Sequence, residues 1–152
     1  MNKVRVVLGA LLLTSAMSAS SAESGVRIVD AAWVKAMKAG DISAVVDCYA
    51  SDAVFWTTGA PQAKGANEIR ASYEGYFAAF TVRDASLTEM GHESFGKDTV
   101  SWGHFVITVT PKAGGAPVTT SGRYTVIAKQ IEGKWVYTLD HASSDPVPPK
   151  AK

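Results

Sequence analysis

The chain has 152 residues, of which 47% are apolar and 19% charged, with 15 Lys and Arg against 14 Asp and Glu. This near-neutral balance argues against a nucleic-acid-binding protein, because such a protein needs a basic face to displace counterions from phosphates. The single cysteine, Cys48, excludes an internal disulfide framework and a multi-thiolate zinc site, and we expect it to be a small buried hydrophobe.

The N-terminus has the three parts of a secretory signal peptide. Lys3 and Arg5 give a positive start, residues 6–17 form an apolar run, and residues 18–22 are small. That run of 12 residues is shorter than the roughly 20 residues that span a bilayer. We therefore expect cleavage before Glu23 and a periplasmic or secreted protein that has no membrane contact once the signal is removed.

The rest of the chain shows no internal repeat. We expect residues 23–145 to form one domain and the Pro-rich residues 146–152 to form a flexible tail.

Apolar spacing predicts three helices in the first half of the chain. Val26, Val29 and Trp33 begin the buried stripe of a first helix that ends at Gly40. Asp41 is the expected N-cap of a second, shorter helical stripe through Ile42, Val45, Val46 and Tyr49. A strand over 53–58 and a third helix over 67–80 follow.

After the third helix the apolar period changes from about 3.6 to 2, which predicts four strands near 83–94, 98–110, 118–131 and 134–143. Hairpin turns separate them at glycine-containing segments. Three helices followed by an antiparallel meander is an α+β order, and a sheet that curls around its helices would make a cone with an internal cavity.

Short segments of the chain, taken in order, resemble one known family. They are AGDI at 39–42, YASDAVF at 49–55, KGANEI at 64–69, GRY at 122–124, GKW at 133–135 and DHASS at 140–144. Together they resemble the SnoaL-like, ketosteroid-isomerase-like branch of the nuclear transport factor 2-like superfamily. The resemblance implies a cone-shaped, curved antiparallel sheet wrapped around three N-terminal helices, with an internal pocket and often a homodimer through the outer sheet face.

The catalytic set of the ketosteroid isomerases is not matched. The resemblance places its first-helix tyrosine at Trp33, its base at Thr57 or Trp56, and its strand acid near Thr125 or Val126. A threonine hydroxyl cannot accept a proton at neutral pH as a carboxylate does, and an indole only donates a hydrogen bond. Only Tyr73 matches, as an auxiliary pocket tyrosine, so the resemblance leaves the protein's enzymatic status open.

Aromatic side chains from separate elements are expected to converge on the interior of the cone. The expected ligand-pocket residues are Trp33, Trp56, Tyr73, Tyr76, Phe77, Tyr124 and Asp140. Aromatics that carry N–H and O–H groups suit a cavity for a flat apolar ligand better than a solid core, where each polar group needs a partner.

Two strands raise the question of which face points inward. On the strand at 98–110, one alternating set of residues is apolar and is expected to be buried: Gly103, Phe105, Ile107 and Val109. His104 is then expected on the opposite face. On the last strand, apolar bulk favours burial of Trp135, Tyr137, Leu139 and His141. The resemblance favours Val136, Thr138, Asp140 and Ala142, and we follow it. A buried Asp140 must be protonated or held by a donor such as Arg123, Tyr124 or an indole N–H.

Three functional hypotheses remain. The first is a pocket that binds a small apolar or aromatic molecule, without assignable catalysis. The second is an acid–base enzyme with Asp140 as acid or base and Tyr73 or Tyr124 as donor. The third is an oligomeric assembly module whose interface residues are Trp102, His104, Trp135 and Tyr137. The three histidines, His92, His104 and His141, have no metal-ligand spacing, and we expect no metal or cofactor.

Overall fold

The computed structural model of the protein describes residues 25–146. The expected signal peptide and all but the first residue of the expected tail lie outside this range. The helices are α1 (Gly25–Ala39), α2 (Ile42–Val46) and α3 (Gly65–Ala79); the strands are β1 (Tyr49–Trp56), β2 (Ala63–Lys64), β3 (Phe80–Phe95), β4 (Asp98–Pro111), β5 (Val118–Ile131) and β6 (Lys134–Ser144). The predicted α+β order is confirmed.

The chain between α1 and β1 begins as predicted, with Asp41 as the N-cap of α2, but the helix is shorter than predicted. The side chain of Asp41 caps α2 by accepting a 3.0 Å hydrogen bond from the backbone N–H of Ala44. The helix then ends at Val46, and Tyr49 opens β1 instead of completing a helical stripe. The backbone carbonyl of Cys48 accepts a 2.8 Å bond from the N–H of Tyr137, which ties the start of β1 to β6.

The six strands form one curved, unclosed sheet in the order β2-β1-β6-β5-β4-β3. All pairs are antiparallel except β1 and β6, which run parallel, so the expected purely antiparallel sheet is corrected at this one pairing. Bulges interrupt the register at Arg83 and Met90 on β3 and at Thr138 on β6. Each bulge bends its strand and increases the local twist, which curves the sheet around the helices.

The helices pack against the concave face of this sheet. Val26, Val29, Trp33 and Met37 form the buried side of α1, as their spacing predicts. On β4 the expected apolar set also points inward, with Phe105 and Val109 buried and His104 exposed. Within residues 25–146, no helix is long and apolar enough to cross a membrane.

Candidate functional site

An internal cavity of about 420 Å³ lies between the helices and the concave sheet face. Its lining residues are Trp33, Met37, Phe55, Thr57, Thr58, Gly59, Ala60, Ser72, Tyr73, Tyr76, Phe80, Leu87, Phe105, Ile107, Tyr124, Val126, Tyr137, Asp140 and Ala142. Thr58, Gly59 and Ala60 are also exposed to solvent, which places the mouth of the cavity at the turn after β1. The walls are mostly aliphatic and aromatic, with a few polar groups.

Three polar residues of the wall, Trp33, Tyr73 and Asp140, are joined by the buried Tyr49 into one hydrogen-bonded chain. The indole Nε1 of Trp33 donates to the hydroxyl of Tyr73 at 2.9 Å, and the hydroxyls of Tyr73 and Tyr49 lie 2.7 Å apart. The Tyr49 hydroxyl donates to Oδ2 of Asp140, also at 2.7 Å. The chain thus joins α1, α3, β1 and β6 inside the apolar interior.

Asp140 is the acid at the end of this chain. Burial raises its pKa from 3.8 to about 6, the hydrogen bond from Tyr49 opposes this rise, and the charge of Asp30 adds to it. Burial, followed by the charge of Asp140, raises the pKa values of Tyr49 and Tyr73, so both phenols stay protonated at neutral pH. The site therefore holds one titratable carboxyl among neutral donors.

A bulge on β6 explains why Asp140 points inward. Tyr137 pairs with Ala128 and Leu139 pairs with Ile127, which leaves Thr138 as an extra residue between them. The alternation shifts by one at this point. Each of the two alternating sets therefore contributes one residue to the cavity wall, Tyr137 and Asp140, while His141 is exposed.

A second buried carboxyl, Asp30, lies one helical turn before Trp33. Its Oδ1 accepts a short hydrogen bond from the hydroxyl of Tyr137. Burial raises the pKa of Asp30 to about 6. The hydrogen bond from Tyr137 acts to lower this pKa, and the negative charge of Glu89 acts to raise it. This residue was not predicted, although its position within the apolar stripe of α1, four residues after Val26, was the available signal.

Asp30 also lines a second, smaller cavity of about 280 Å³ between α1 and β3, together with Arg27 and Glu89. Oε1 of Glu89 accepts a hydrogen bond from Arg27 at 3.0 Å and lies 3.0 Å from Nδ1 of His92. Partial burial acts to raise the pKa of Glu89, but the bonds and charges of His92 and Arg27 outweigh it, so the pKa is lowered. Glu89 is thus an ion-paired structural carboxylate.

The structure brings five of the seven expected pocket residues to the cavity: Trp33, Tyr73, Tyr76, Tyr124 and Asp140. The Tyr124 hydroxyl is enclosed and lies near Asp30 and Ser101, but no residue in the described range 25–146 is in full hydrogen-bond geometry with it. Of the possible donors to Asp140 that the sequence leaves open, Tyr124 is therefore not the one used; the hydroxyl of Tyr49 donates to Asp140 instead. Tyr49 was not predicted, because its position was assigned to a helix.

The other two expected pocket residues, Phe77 and Trp56, do not line the cavity. Phe77 is buried behind it, 6.3 Å from the ring of Tyr73 in a stacked arrangement. Trp56 is 43% exposed and donates from Nε1 to Gln62. The reason is the alternation of β1: Phe55 points inward and stacks on Tyr73 at 5.4 Å, so its neighbour Trp56 must point outward.

Two of the four expected interface residues are also corrected. Tyr137 is buried in the interior, and Trp135 packs against the core, where its ring lies over Gly25. Trp102 and His104 do face outward on β4, as expected. No three His, Cys, Asp or Glu side chains within residues 25–146 are grouped closely enough to hold a metal ion.

Residues 31–138 match the family described as the SnoaL-like domain. Among solved structures, the chain is similar to a ketosteroid isomerase-like protein from Erwinia carotovora atroseptica, with 20% identity, a TM-score of 0.72, and coverage of 80% of this chain and 94% of the other. A conserved protein from Planctomyces limnophilus has the same TM-score of 0.72, with 25% identity and coverage of 81% of this chain and 95% of the other.

A nuclear transport factor 2-like superfamily protein from Salmonella enterica serovar Typhimurium has 13% identity and a TM-score of 0.69, with coverage of 84% of this chain and 95% of the other. Among proteins with curated descriptions, none matches the sequence. These likenesses support the fold.

Proposed function

Because the chain belongs to the SnoaL-like domain family, with the nuclear transport factor 2-like fold, we propose that its cavity binds a small, flat, largely apolar molecule. The observation that carries this proposal is the combination of an apolar cavity of about 420 Å³ with one acid, Asp140, on its wall. Sites for small organic ligands have this size and this character, with apolar walls and a few polar groups that fix orientation.

The aromatic side chains of the wall suit a ring system. The rings of Tyr73 and Phe55 are stacked with their centroids 5.4 Å apart, and the centroids of Tyr76 and Phe80 have the same separation, so two pairs of aromatic rings line the cavity. Burying a planar apolar ligand against such rings is favoured by the area removed from water and by ring stacking. Asp140 would meet the one polar group of the ligand.

Thermal-shift measurements with naphthalene and other two-ring aromatics test the proposal. We expect the melting temperature to rise with ligand concentration, because a ligand that binds only the folded state stabilises it. Ala142→Leu should reduce the shift, since Ala142 lines the cavity and the larger side chain would fill part of it. Ala78→Leu, on the exposed side of α3, is the control that should respond like wild type. Absence of stabilisation at the solubility limit of every probe would overturn the proposal.

A second candidate function is acid–base catalysis on the bound molecule. It is favoured by the position of Asp140 on the cavity with a pKa of about 6, where a carboxyl exchanges protons near neutral pH. Deuterium exchange at the α-carbons of 2-tetralone is a direct assay. Exchange above the buffer rate that disappears in Asp140→Asn would support catalysis, whereas equal rates in the two proteins would exclude this role for Asp140.

We also propose export and self-association. Export rests on the signal-like residues 1–22, and mass spectrometry of the protein from an extracytoplasmic fraction should find a chain that starts at Glu23.

Self-association rests on the outer sheet face, where Trp102 and Val106 are each 41% exposed next to His104. Sedimentation should find a dimer that Trp102→Lys weakens; a wild-type monomer at high concentration would exclude it.

A further inference from the structure

The hydrogen-bonded chain in the cavity wall has a fixed direction. The indole N–H of Trp33 can only donate, so the oxygen of Tyr73 is an acceptor in that bond. Tyr49 has a single hydroxyl proton and gives it to Asp140. The proton between the two phenols must therefore come from Tyr73, and all three donors point along the chain toward the carboxyl.

The two oxygens of Asp140 are consequently not equivalent. Oδ2 accepts the hydrogen bond from Tyr49 at 2.7 Å. Oδ1 makes no hydrogen bond with any other residue of the described segment 25–146 and is not among the fully enclosed polar atoms, while Asp140 itself lines the cavity. A neutral carboxyl carries its proton on the oxygen that is not already accepting a bond, which here is Oδ1.

Placing the proton on Oδ2 instead would reverse the chain. Asp140 would then donate to Tyr49, Tyr49 would donate to Tyr73, and the single phenol oxygen of Tyr73 would have to accept from both Tyr49 and Trp33. Trp33 therefore disfavours the reversed chain and keeps the exchangeable proton at the cavity face.

We propose that Asp140 selects ligands by their hydrogen-bonding role: with its proton on Oδ1 it binds a ligand through an acceptor group such as a carbonyl, and without that proton it binds a donor. The inference rests on the proposed function, since it concerns the polar group of the same bound molecule. It adds the class of that group and the dependence of binding on pH.

The groups that face Asp140 permit this change of state near neutral pH. Tyr49 faces it from β1, Tyr73 from α3 and Asp30 from α1, and its neighbour on β5 is the apolar Val126. Both phenols remain neutral and Asp30 carries the same kind of charge, so among residues 25–146 no cation beside Asp140 opposes its protonation. The pKa of about 6 for Asp140 agrees with this arrangement.

Two probes that differ by one acceptor group test the inference. The probes are 2-acetylnaphthalene, which has a carbonyl, and naphthalene, which does not. Their dissociation constants are measured at pH 5 and pH 8 by quenching of tryptophan fluorescence. We expect the preference for 2-acetylnaphthalene over naphthalene to fall at least about tenfold from pH 5 to pH 8, because an acceptor ligand loses its donor as Asp140 ionises.

Three further measurements make the result specific. Asp140→Asn should keep the preference constant with pH, since an amide offers an N–H at every pH. Tyr49→Phe should raise the midpoint of the pH dependence, because it removes the hydrogen bond that stabilises the ionised carboxyl. In wild type, saturation with 2-acetylnaphthalene should raise the pKa of Asp140, as read from its carboxyl ¹³C resonance, further than saturation with naphthalene does, because only the carbonyl probe accepts a hydrogen bond from the neutral carboxyl.

The possible failures can be told apart. If naphthalene binds at both pH values and the preference for the carbonyl probe is the same at each, the selection by Asp140 is wrong and the ligand-binding function stands. If neither probe binds at either pH, both the function and the inference fall.

Discussion

Tyr137 and Asp140 are three residues apart on β6, and both point into the interior because Thr138 is bulged out between them. In a regular strand, side chains three residues apart lie on opposite faces. The bulge therefore brings two acid–tyrosine pairs into one core: Tyr137 with Asp30, and Asp140 with Tyr49. The stability of the fold and the chemistry of the cavity depend on the same buried carboxyls.

The two buried carboxyls should make the protein less stable as the pH rises from 4.5 to 7. Their pKa values are raised in the folded state, from 3.8 to about 6, so the folded state binds protons more tightly than the unfolded state. Stability from such groups is present at low pH and is lost as the pH passes through the folded-state value. Each carboxyl should lower the free energy of unfolding by about 2 kcal/mol over this window.

Urea denaturation at several pH values measures this effect. Asp140→Asn should remove about half of the slope, and Asp52→Asn, at an exposed position on β1, should leave it unchanged. A wild-type stability that rises with pH across this window would contradict the assignment of buried, protonatable carboxyls. Below pH 4.5 the gain in stability on lowering the pH should become smaller. The pKa of Glu89 is lowered in the folded state, so the stabilisation from this carboxylate is lost as the pH falls.

Two tyrosines allow a matched comparison of a bonded and an unbonded hydroxyl. Tyr137→Phe should lower the free energy of unfolding at pH 7 by about 1–3 kcal/mol, because it leaves buried Asp30 without its hydrogen-bond donor. It should also raise the pKa of Asp30 above 6. Tyr124→Phe should cost less than Tyr137→Phe, because the Tyr124 hydroxyl lies near Asp30 and Ser101 but has no partner in full hydrogen-bond geometry within residues 25–146. Equal losses in the two variants would contradict these contacts.

The sequence allowed the long periodic elements to be predicted because their patterns persist over many residues. The boundaries of β4, β5 and β6 were each predicted to within one residue. The inward face of β6 was not predictable from alternation alone, since a bulge at Thr138 breaks the period of two without leaving a glycine or proline signal. β2 has two residues, which is too short for any periodic pattern.

The candidate site was predictable in its aromatic character more than in its polar contacts. Aromatic positions on helical stripes indicated Trp33 and Tyr73, and both lie on the cavity wall, whereas Trp56 points outward because its strand neighbour Phe55 occupies the inward position. The Tyr49–Asp140 bond joins residues 91 positions apart, and such a contact depends on tertiary register that composition and spacing do not contain.

Two glycines should respond in opposite directions to substitution by alanine. At Gly103 a Cβ would lie 2.1 Å from the backbone oxygen of Thr88, which cannot move without disturbing the β3–β4 pairing. Gly103→Ala should therefore destabilise the fold by about 1–3 kcal/mol or more, as overpacking does. At Gly75, within α3, a Cβ meets no described atom within 4 Å, so Gly75→Ala should stabilise the helix by about 0.5–1 kcal/mol.

Urea denaturation of the two variants at one pH tests this pair. If Gly103→Ala were as stable as wild type, the close approach of β3 to β4 at this point would be wrong. If Gly75→Ala were destabilised, α3 would have to pack against something on its exposed side.

Cys48 should be unreactive in the folded protein. Its side chain is buried and its sulfur lies 3.4 Å from the backbone oxygen of Ala44, to which it donates. Burial raises the pKa of its thiol from 9.0 to about 11, so the thiolate that reacts with alkylating agents is scarce at pH 8. Iodoacetamide should label the chain rapidly in 8 M urea and, in buffer, only as fast as the fold opens. Variants that loosen the core, such as Gly103→Ala, should then be labelled faster than wild type. Rapid labelling of native wild type would instead show that the α2–β1 connection is open to solvent.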